Sequence, residues 1–270
     1  MELQSIYRNL QIQDMNQMQK SAYKTSENEN DLLLLSPTGS GKTLAFLFPV
    51  LRNLKKENSG IQAMILVPSR ELALQIEQVF KSMGTDFKVS VCYGGHEKKI
   101  EVNNLIESPA LLIGTPGRIA YHLKNDNFDA TTIKTLVLDE FDKSLEFGFH
   151  DDMSLIISEM PLLSQRILTS ATAMTEIPAF TGLNNEATVD FLKVLEIKPD
   201  FQLRKVITTS EGKLETLFQL LCKIGNKRTL IFCNHRDAVD RISELLKEKG
   251  ILYAPDFLIN AGGIINVYGE

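Results

Sequence analysis

The stretch LLLLSPTGSGKT, residues 32–43, decides how this 270-residue chain folds. Four consecutive leucines without polar alternation are typical of a strand that is buried on both faces of a parallel sheet. The glycine-rich turn behind them precedes a helix-like segment, and backbone N–H groups at a helix N-terminus can cradle phosphates. The stretch therefore predicts an α/β domain with a nucleotide phosphate site at the end of this strand.

The residues of this turn carry separate predicted roles. The pattern predicts that Lys42 reaches the β and γ phosphates and that the Thr43 hydroxyl binds Mg²⁺. Ser36 stands where the strict phosphate-loop pattern has its first glycine. The alternative is a glycine-rich turn that happens to contain a lysine. The residues predicted to bind the nucleotide here are Thr38, Gly39, Ser40, Gly41, Lys42 and Thr43.

Short apolar runs and amphipathic segments alternate along most of the chain. The six runs that predict buried strands lie within residues 31–37, 63–68, 89–95, 110–116, 135–140 and 166–172. The segments that predict helices between them lie within residues 41–57, 69–84 and 151–163. This alternation predicts a doubly wound parallel sheet with helices on both faces, and in such sheets ligands bind at the carboxyl ends of the strands.

The sequence VLDEFD, residues 137–142, places two carboxylates directly after a predicted strand. In a sheet that carries a phosphate loop, Asp139 is predicted to hold Mg²⁺, mostly through water, and Glu140 to orient the attacking water. Together with Lys42 they form the predicted catalytic set. A carboxylate pair at a strand end is by itself more often a solvated acidic turn, and the preceding phosphate loop is what favours a catalytic role.

These two motifs and several smaller ones, in this order, resemble the DEAD-box ATP-dependent RNA helicases of helicase superfamily 2. The matching segments are residues 36–43, 68–75, 94–95, 115–118, 139–142, 170–172 and 229–234. The resemblance implies a RecA-like first domain at residues 1–200. It further implies a linker with the start of an incomplete second RecA-like domain at 201–250.

The resemblance also implies RNA as a partner, held mostly through its sugar–phosphate backbone and with little sequence preference. The residues it places along the RNA path are Pro68, Ser69, Arg70, Gly94, Gly95, Thr115, Pro116, Gly117 and Arg118. Taken singly, some of these positions, such as Gly94 and Pro116, are ordinary loop turns with incidental polarity.

The same resemblance implies ATP and Mg²⁺ as cofactors, with Gln19 reading the adenine edge. Gln11, Gln13 and Gln17 lie nearby in the sequence, and a glutamine on the surface of a helix is the alternative for this position. Ser170 and Thr172 are implied to hydrogen-bond to Asp142 and to couple the nucleotide site to domain movement.

Residues 213–225 and 235–250 predict two helices of the second unit, and residues 228–234 predict a strand between them. The family's late arginine motif of the HRxGRxGR type is not found in the sequence. Residues 251–270 instead resemble a short piece of the leucine and phenylalanine dehydrogenases, so we expect a fused tail that adds no dehydrogenase activity, with a native divergent C-terminus as the alternative. The expected result is low ATPase and unwinding activity, with a non-catalytic ATP- or RNA-binding module as the alternative function.

Composition narrows the class of protein without identifying a target. The net charge of −5 means that nucleic acid would be attracted by a local patch rather than by the whole surface. Three widely spaced cysteines favour reduced thiols over a disulfide framework or a zinc site. No signal peptide or membrane-spanning run is evident, so the sequence predicts a soluble cytoplasmic protein. It does not indicate any protein partner.

Overall fold

A computed structural model describes residues 3–95, 97–173, 176–183, 186–193, 202, 204–233 and 235–253. The chain divides into two compact units, Met1–Lys198 and Pro199–Glu270. Most of the tail that resembles a dehydrogenase, residues 254–270, lies outside the described residues, as does Asn234.

The first unit is built on a sheet of seven strands, and every described strand pair is parallel. The strands are β1 Asp31–Leu35, β2 Ala63–Leu66, β3 Val89–Cys92, β4 Leu111–Gly114, β5 Thr135–Leu138, β6 Gln165–Ser170 and β7 Ala187–Asp190. Their order across the sheet is β3-β4-β2-β5-β6-β1-β7. The six strands predicted from the sequence are confirmed. The seventh was not predicted, because its short segment alternates between buried and exposed residues at the sheet margin.

The leucine run of β1 is apolar throughout because both faces of the sheet are covered. Successive side chains of a strand point to opposite faces. Leu32 and Leu34 therefore belong to one core cluster, and Leu33 and Leu35 belong to the other. All four side chains are at most 7% exposed. The doubly wound fold class predicted from the sequence is confirmed.

Helices enclose the sheet and place its loops. In the first unit they are α1 Leu3–Asn9, α2 Gln17–Asn28, α3 Lys42–Asn53, α4 Arg70–Ser82, α5 Lys98–Ile106, α6 Pro116–Lys124, α7 Phe141–Glu146 and α8 His150–Ser158, with a 3₁₀ turn at Ala179–Thr181. Three of them, α3, α4 and α8, are the helices predicted from the sequence, and all three are confirmed. In α4, Ile76 and Phe80 are buried one turn apart, as an amphipathic helix requires.

The described part of the second unit contains two helices, α9 Lys213–Ile224 and α10 Arg236–Glu248, both of them predicted from the sequence. The strand predicted at residues 228–234 is not formed over the described residues 228–233. Leu230 is 73% exposed there and Phe232 is 91% exposed. A strand exists only when it pairs with a neighbouring strand. The described residues of this unit supply no such neighbour, so apolar character alone led to the wrong prediction.

No helix in the described part of the chain has both the length and the apolar character needed to cross a membrane, and the longest have 13 residues.

The two-sided burial of β1 predicts a large stability cost for truncating one of its leucines. We expect Leu34→Ala to lower the free energy of unfolding of the first unit by about 2–5 kcal/mol, the usual cost of a leucine-sized cavity. Leu162 is 55% exposed in the same unit, so Leu162→Ala should change the free energy of unfolding by no more than about 0.5 kcal/mol. Urea unfolding of both variants measures this difference, and equal effects would contradict the two-sided core.

Candidate functional site

The polar motifs meet at one edge of the sheet because all the described strand pairs are parallel. The strand order divides this edge into two halves. The loops after β5, β6 and β1 form the P-loop half. The loops after β3, β4 and β2 form the distal half. The motifs that match nucleotide chemistry all follow β5, β6 or β1. The motifs assigned to RNA by resemblance all follow β3, β4 or β2. The halves meet where β2 pairs with β5, and the Asp139 amide there donates to the Leu66 carbonyl at 3.0 Å.

The phosphate loop turns sharply into α3. Gly39 and Gly41 have φ of 79° and 91°, a region that side chains other than glycine rarely adopt. Lys42 begins the helix, and its Nζ donates to the Ser36 carbonyl at 2.7 Å. Ser36 itself is buried, and its Oγ lies 2.9 Å from Ser40 Oγ. The serine that replaces the first glycine of the pattern therefore ties the two ends of the loop together.

Gln19 lies against the phosphate loop and is only 5% exposed. Its Oε1 accepts from the Asn16 amide at 2.8 Å, and its Nε2 donates to the Gly41 carbonyl at 3.2 Å. The three neighbouring glutamines, Gln11, Gln13 and Gln17, are exposed. A surface position, the alternative left open by the sequence, is thus excluded for Gln19. Its predicted contact with adenine stays a prediction.

Asn16 was missed by the sequence analysis and supports the same corner. Its Oδ1 accepts from the Gln19 amide at 2.9 Å, which completes a capping box at the start of α2. Its Nδ2 donates to the Ser40 carbonyl at 3.1 Å. The signal was available, because Asn followed three residues later by Gln is the spacing of a capping box.

Asp139 and Glu140 are held by a residue that the sequence analysis also missed. The Thr169 hydroxyl donates to Asp139 Oδ1 and accepts from the Glu140 amide at 3.2 Å. The Glu140 amide also reaches Asp139 Oδ1 at 3.1 Å. Thr169 ends the apolar part of β6 directly before Ser170, so its place in front of the SAT motif was the only sequence signal.

The backbone of Glu140 is in the left-handed region, with φ 47° and ψ 51°. This conformation is sterically strained for a residue other than glycine, and such strain persists only where surrounding contacts fix the backbone. The two hydrogen bonds made by its amide supply those contacts.

The electrostatics of the P-loop half are those of buried, mutually interacting charges. Burial raises the pKa of Asp139 above its ordinary value, against the hydrogen bond from Thr169 and the charge of Lys42. Burial and then the charge of Asp139 raise the pKa of Glu140. Burial lowers the pKa of Lys42, against the attraction of the nearby carboxylates. The half therefore holds charged groups at a cost in folding free energy.

The predicted link from the SAT motif to Asp142 is formed by one of its two members. Thr172 Oγ1 donates to Asp142 Oδ2 at 2.8 Å. Ser170 was expected to do the same, and this prediction is wrong: its Oγ donates to the Thr172 carbonyl at 2.7 Å and accepts from the Thr172 amide. Ser170 ends a buried strand, so its hydroxyl closes a local turn that aims Thr172 at the carboxylate.

The distal half brings three loops together. Ser69 caps α4, where its Oγ accepts from the Leu72 amide at 3.3 Å. Arg70 is exposed, and its guanidinium carbon lies 5.0 Å from the centre of the Tyr93 ring. A β-carbon on Gly95 would lie 3.5 Å from Arg70 Nη1, so the loop after β3 touches the loop after β2. Of the other predicted residues, Pro68 and Pro116 are buried, Thr115 and Gly117 are partly exposed and Gly94 is exposed.

Arg118 has a partner that the sequence did not reveal, and its predicted contact with RNA stays a prediction. Its Nη1 donates to Glu101 Oε2 at 2.8 Å, and its side chain is only 10% exposed. Glu101, from α5, is fully buried and also binds His122. The sequence analysis assigned Arg118 to RNA contact and did not single out Glu101, because α5 carries no motif. The structure places this arginine mainly beneath the surface.

The P-loop half fits a nucleotide triphosphate with a divalent cation. Glycines shape the cradle, amides at the start of α3 and the Lys42 ammonium supply donors, and a buried carboxylate lies at the next strand end. Both hydrogen bonds that the structure shows to the Asp139 carboxylate, within the described residues, go to Oδ1, so Oδ2 is left for a cation or its water. Thr43 would complete such a site from the first turn of α3.

Gly41 is the position where a single methyl group tests this arrangement. A β-carbon there would lie 2.7 Å from Gln19 Nε2 in addition to the strained φ. We expect Gly41→Ala to destabilise the first unit by about 2 kcal/mol, backbone strain plus the displaced Gln19 contacts. Gly148 has φ 80° with open space around its β-carbon, so Gly148→Ala should cost about 1 kcal/mol.

Urea unfolding of the two glycine variants measures the difference, and Gln19→Ala should remove part of the excess cost in the Gly41 variant only. Equal costs for the two glycines would show that the Gln19 contact does not constrain the loop.

The raised pKa of Asp139 predicts a pH-dependent stability. The folded pKa lies above the unfolded value near 3.8, so ionisation destabilises the fold as pH rises through that interval. We expect Asp139→Asn to raise the melting temperature at pH 7 by about 2–4 °C, the shift that about 1 kcal/mol produces in a unit of this size. The gain should shrink toward pH 4. Asp151→Asn, at a fully exposed carboxylate, is the control and should show no gain at either pH.

Comparison with known proteins agrees with this geometry. Residues 16–180 match the family described as DEAD/DEAH box helicase. The ATP-dependent RNA helicase CshA of Limosilactobacillus reuteri is 34% identical over 225 residues, which are 82% of this chain and 45% of that protein. The DEAD-box ATP-dependent RNA helicase RhpA of Helicobacter pylori is 31% identical over 236 residues, 86% of this chain and 48% of that protein.

A crystal structure of a DEAD box protein from the hyperthermophile Methanococcus jannaschii is similar over 91% of this chain and 67% of that one, with a TM-score of 0.62 and 26% identity. The chain spans less than half the length of the curated relatives just named. The family match covers the phosphate loop, both carboxylates and every loop of the edge described above. The chain, with its RecA-like α/β sheet, belongs to the DEAD/DEAH box helicase family.

Proposed function

We propose that this chain carries the ATP-binding and RNA-engaging part of an ATP-dependent RNA helicase. The observation that carries the proposal is the strand order. It gathers the motifs suited to ATP after β5, β6 and β1 and those suited to RNA after β3, β4 and β2. Two binding regions on one rigid edge can influence each other without a long path between them. On the basis of the sequence, the protein is also proposed to be cytoplasmic.

In the P-loop half, this chain's residues bind and orient the triphosphate. Backbone amides of residues 39–43 hold the phosphates, and the Lys42 ammonium moves from the Ser36 carbonyl to the β and γ phosphates. Thr43 and Asp139 would hold Mg²⁺, and the ion would neutralise charge on the transferring phosphoryl group. Glu140 accepts a hydrogen bond from the attacking water, and burial holds its pKa closer to the range useful for a base.

In the distal half, RNA is held through its sugar–phosphate backbone. Arg70 presents an exposed guanidinium, while Gly94 and Gly95 offer backbone that a phosphate can approach closely. Contacts of this kind position a strand without reading its bases. The expected binding is tolerant of sequence and weakens steeply with salt, since the acidic chain as a whole adds no attraction.

The carboxylate motif links the loops of the P-loop half to one another, and the Asp139 amide joins it to β2 at the border of the distal half. Thr169 joins Asp139 to the Glu140 amide, and Thr172 joins the next turn to Asp142. A change in the position of either loop therefore shifts the residues that orient the attacking water. No arginine motif of the second-domain type occurs in these 270 residues, and such arginines supply a large share of the rate in phosphoryl transfer. We therefore expect slow hydrolysis and weak stimulation by RNA from this chain alone.

Glu140→Gln tests the catalytic part of the proposal. Single-turnover hydrolysis, with protein in excess over radiolabelled ATP, should fall by about 10²-fold or more because the base is lost, while nucleotide affinity stays the same. Glu146→Gln is the control, since Glu146 is an exposed acid on the same helix.

Equal hydrolysis by wild type and Glu140→Gln would instead favour a non-catalytic ATP- or RNA-binding module. A turnover that rises strongly when RNA is added to the wild-type chain would contradict the expected weak stimulation.

A further inference from the structure

A buried polar cluster lies beneath the distal half and has no assigned role. It contains Glu101 from α5, Arg118 and His122 from α6, and Cys92 at the end of β3. The Glu101 side chain is 0% exposed. A buried carboxylate is costly unless donors and charge compensate it, so its retention in a protein core calls for a physical reason.

Three donors converge on the Glu101 carboxylate. Oε1 accepts from the Tyr93 amide at 2.8 Å. Oε2 accepts from Arg118 Nη1 at 2.8 Å and lies 2.6 Å from His122 Nε2. The donors come from the loop after β3, which holds Tyr93, and from α6, the helix that follows β4. One side chain therefore binds the ends of two neighbouring strands together.

The charge of this cluster is compensated by its partners. Asn127 Nδ2 lies 3.0 Å from His122 Nδ1, so the ring nitrogen remote from Glu101 also has a partner. The negative charge of Glu101 lies against the Arg118 guanidinium. Burial disfavours the carboxylate charge, but the hydrogen bonds from His122 and Tyr93 and the charge of Arg118 outweigh it and lower the pKa of Glu101.

A metal site is the competing explanation, because ligand atoms of Cys92, Glu101 and His122 lie within 4.8 Å of one another. Two observations disfavour it. Both oxygens of Glu101 are already bound by hydrogen-bond donors, one of which is the Arg118 cation. Burial also raises the pKa of the Cys92 thiol to about 12, whereas a metal ligand must be a thiolate.

The cluster extends to the third loop of the distal half through Tyr93. The Tyr93 amide binds Glu101, and the Tyr93 ring carries the guanidinium of Arg70 at 5.0 Å. Arg70 follows β2, so the loops after β2, β3 and β4 are linked through one carboxylate. The spacing of the two arginines is thereby set from within the protein rather than by the ligand.

We propose that Glu101 is a positioning residue that presets the phosphodiester-binding geometry of the distal half. It fixes the backbone at Tyr93 and the guanidinium of Arg118, and through Tyr93 it fixes Arg70. This inference rests on the proposed function, because it assumes that RNA binds to these loops. A preset arrangement lowers the ordering cost of binding a flexible single strand.

The test compares Glu101→Gln with the wild type for binding a fluorescent 20-nucleotide oligouridine and, separately, ADP. An amide of the same shape keeps one acceptor oxygen, but its NH2 group must face at least one of the three donors, and the balancing negative charge is lost. We expect RNA affinity to fall about tenfold and ADP affinity to stay within about twofold, because the contacts described for this cluster lie in the distal half. Glu97→Gln, an exposed residue that precedes α5 and makes no side-chain cap, is the matched control and should change neither affinity.

A double-mutant cycle separates positioning from general destabilisation. If Glu101 acts by holding Arg118, then Glu101→Gln should add little to the loss of RNA affinity already caused by Arg118→Met. Fully additive losses would overturn that link. If Glu101→Gln does not fold, Glu101→Asp keeps the charge but is one methylene too short to reach all three donors, and it should show the same selective loss.

The binding results distinguish the positioning role of Glu101 from the proposed RNA function on which it rests. If the wild-type chain fails to bind the oligonucleotide, the proposed RNA function is wrong. If the wild type binds RNA and the Glu101 variants bind it equally well, the RNA function stands and the positioning role is wrong. Equal losses of RNA and ADP affinity would show that Glu101 only stabilises the fold.

Discussion

Parallel pairing of strands that are buried on both faces is the constraint on which the rest of the first unit depends. Because all strands start at the same edge of the sheet, the chain must cross back after each strand, and the crossing helices cover both faces. The loops that directly follow the strands therefore all lie at the opposite edge. The crossover from β1 over β6 and β5 to β2 then separates loops that are neighbours in sequence. Loops that are far apart in sequence, such as those holding Ser36 and Ser170, become hydrogen-bonded neighbours.

The P-loop half contains groups that raise the free energy of the folded state. Asp139 is buried with a raised pKa, Lys42 is buried with a lowered one, and Glu140 has a left-handed backbone. Each feature opposes folding, and none of them improves core packing. Apolar strands on either side of the motif stabilise the unit enough to keep these groups in place. A strained backbone next to buried charge, with an ordinary core below, is the arrangement expected where function rather than stability selects the residues.

Sequence reasoning succeeded where the determining pattern is local. The leucine run of β1 predicts a buried strand, and the glycines behind it predict a tight turn. Six strands could be predicted from local patterns of this kind. It failed where a partner from elsewhere decides the outcome. Residues 228–233 are apolar, yet the described second unit offers them no strand to pair with. Glu101 and Thr169 belong to no quoted motif, and their importance is visible only once Arg118 and Asp139 are seen to bind them.

Arg118 shows that a family motif does not by itself reveal every contact of a residue. Its place in the sequence TPGR marks it as a cation near the RNA path, but a guanidinium has five donors and one of them is already bound to a buried carboxylate. A partly buried arginine shapes a surface more than it attracts a ligand from solution. In a chain with a net charge of −5, long-range attraction is weak in any case. Affinity for a phosphate backbone must then come from short-range contacts whose spacing is fixed in advance, and a buried carboxylate that orders three loops provides that spacing.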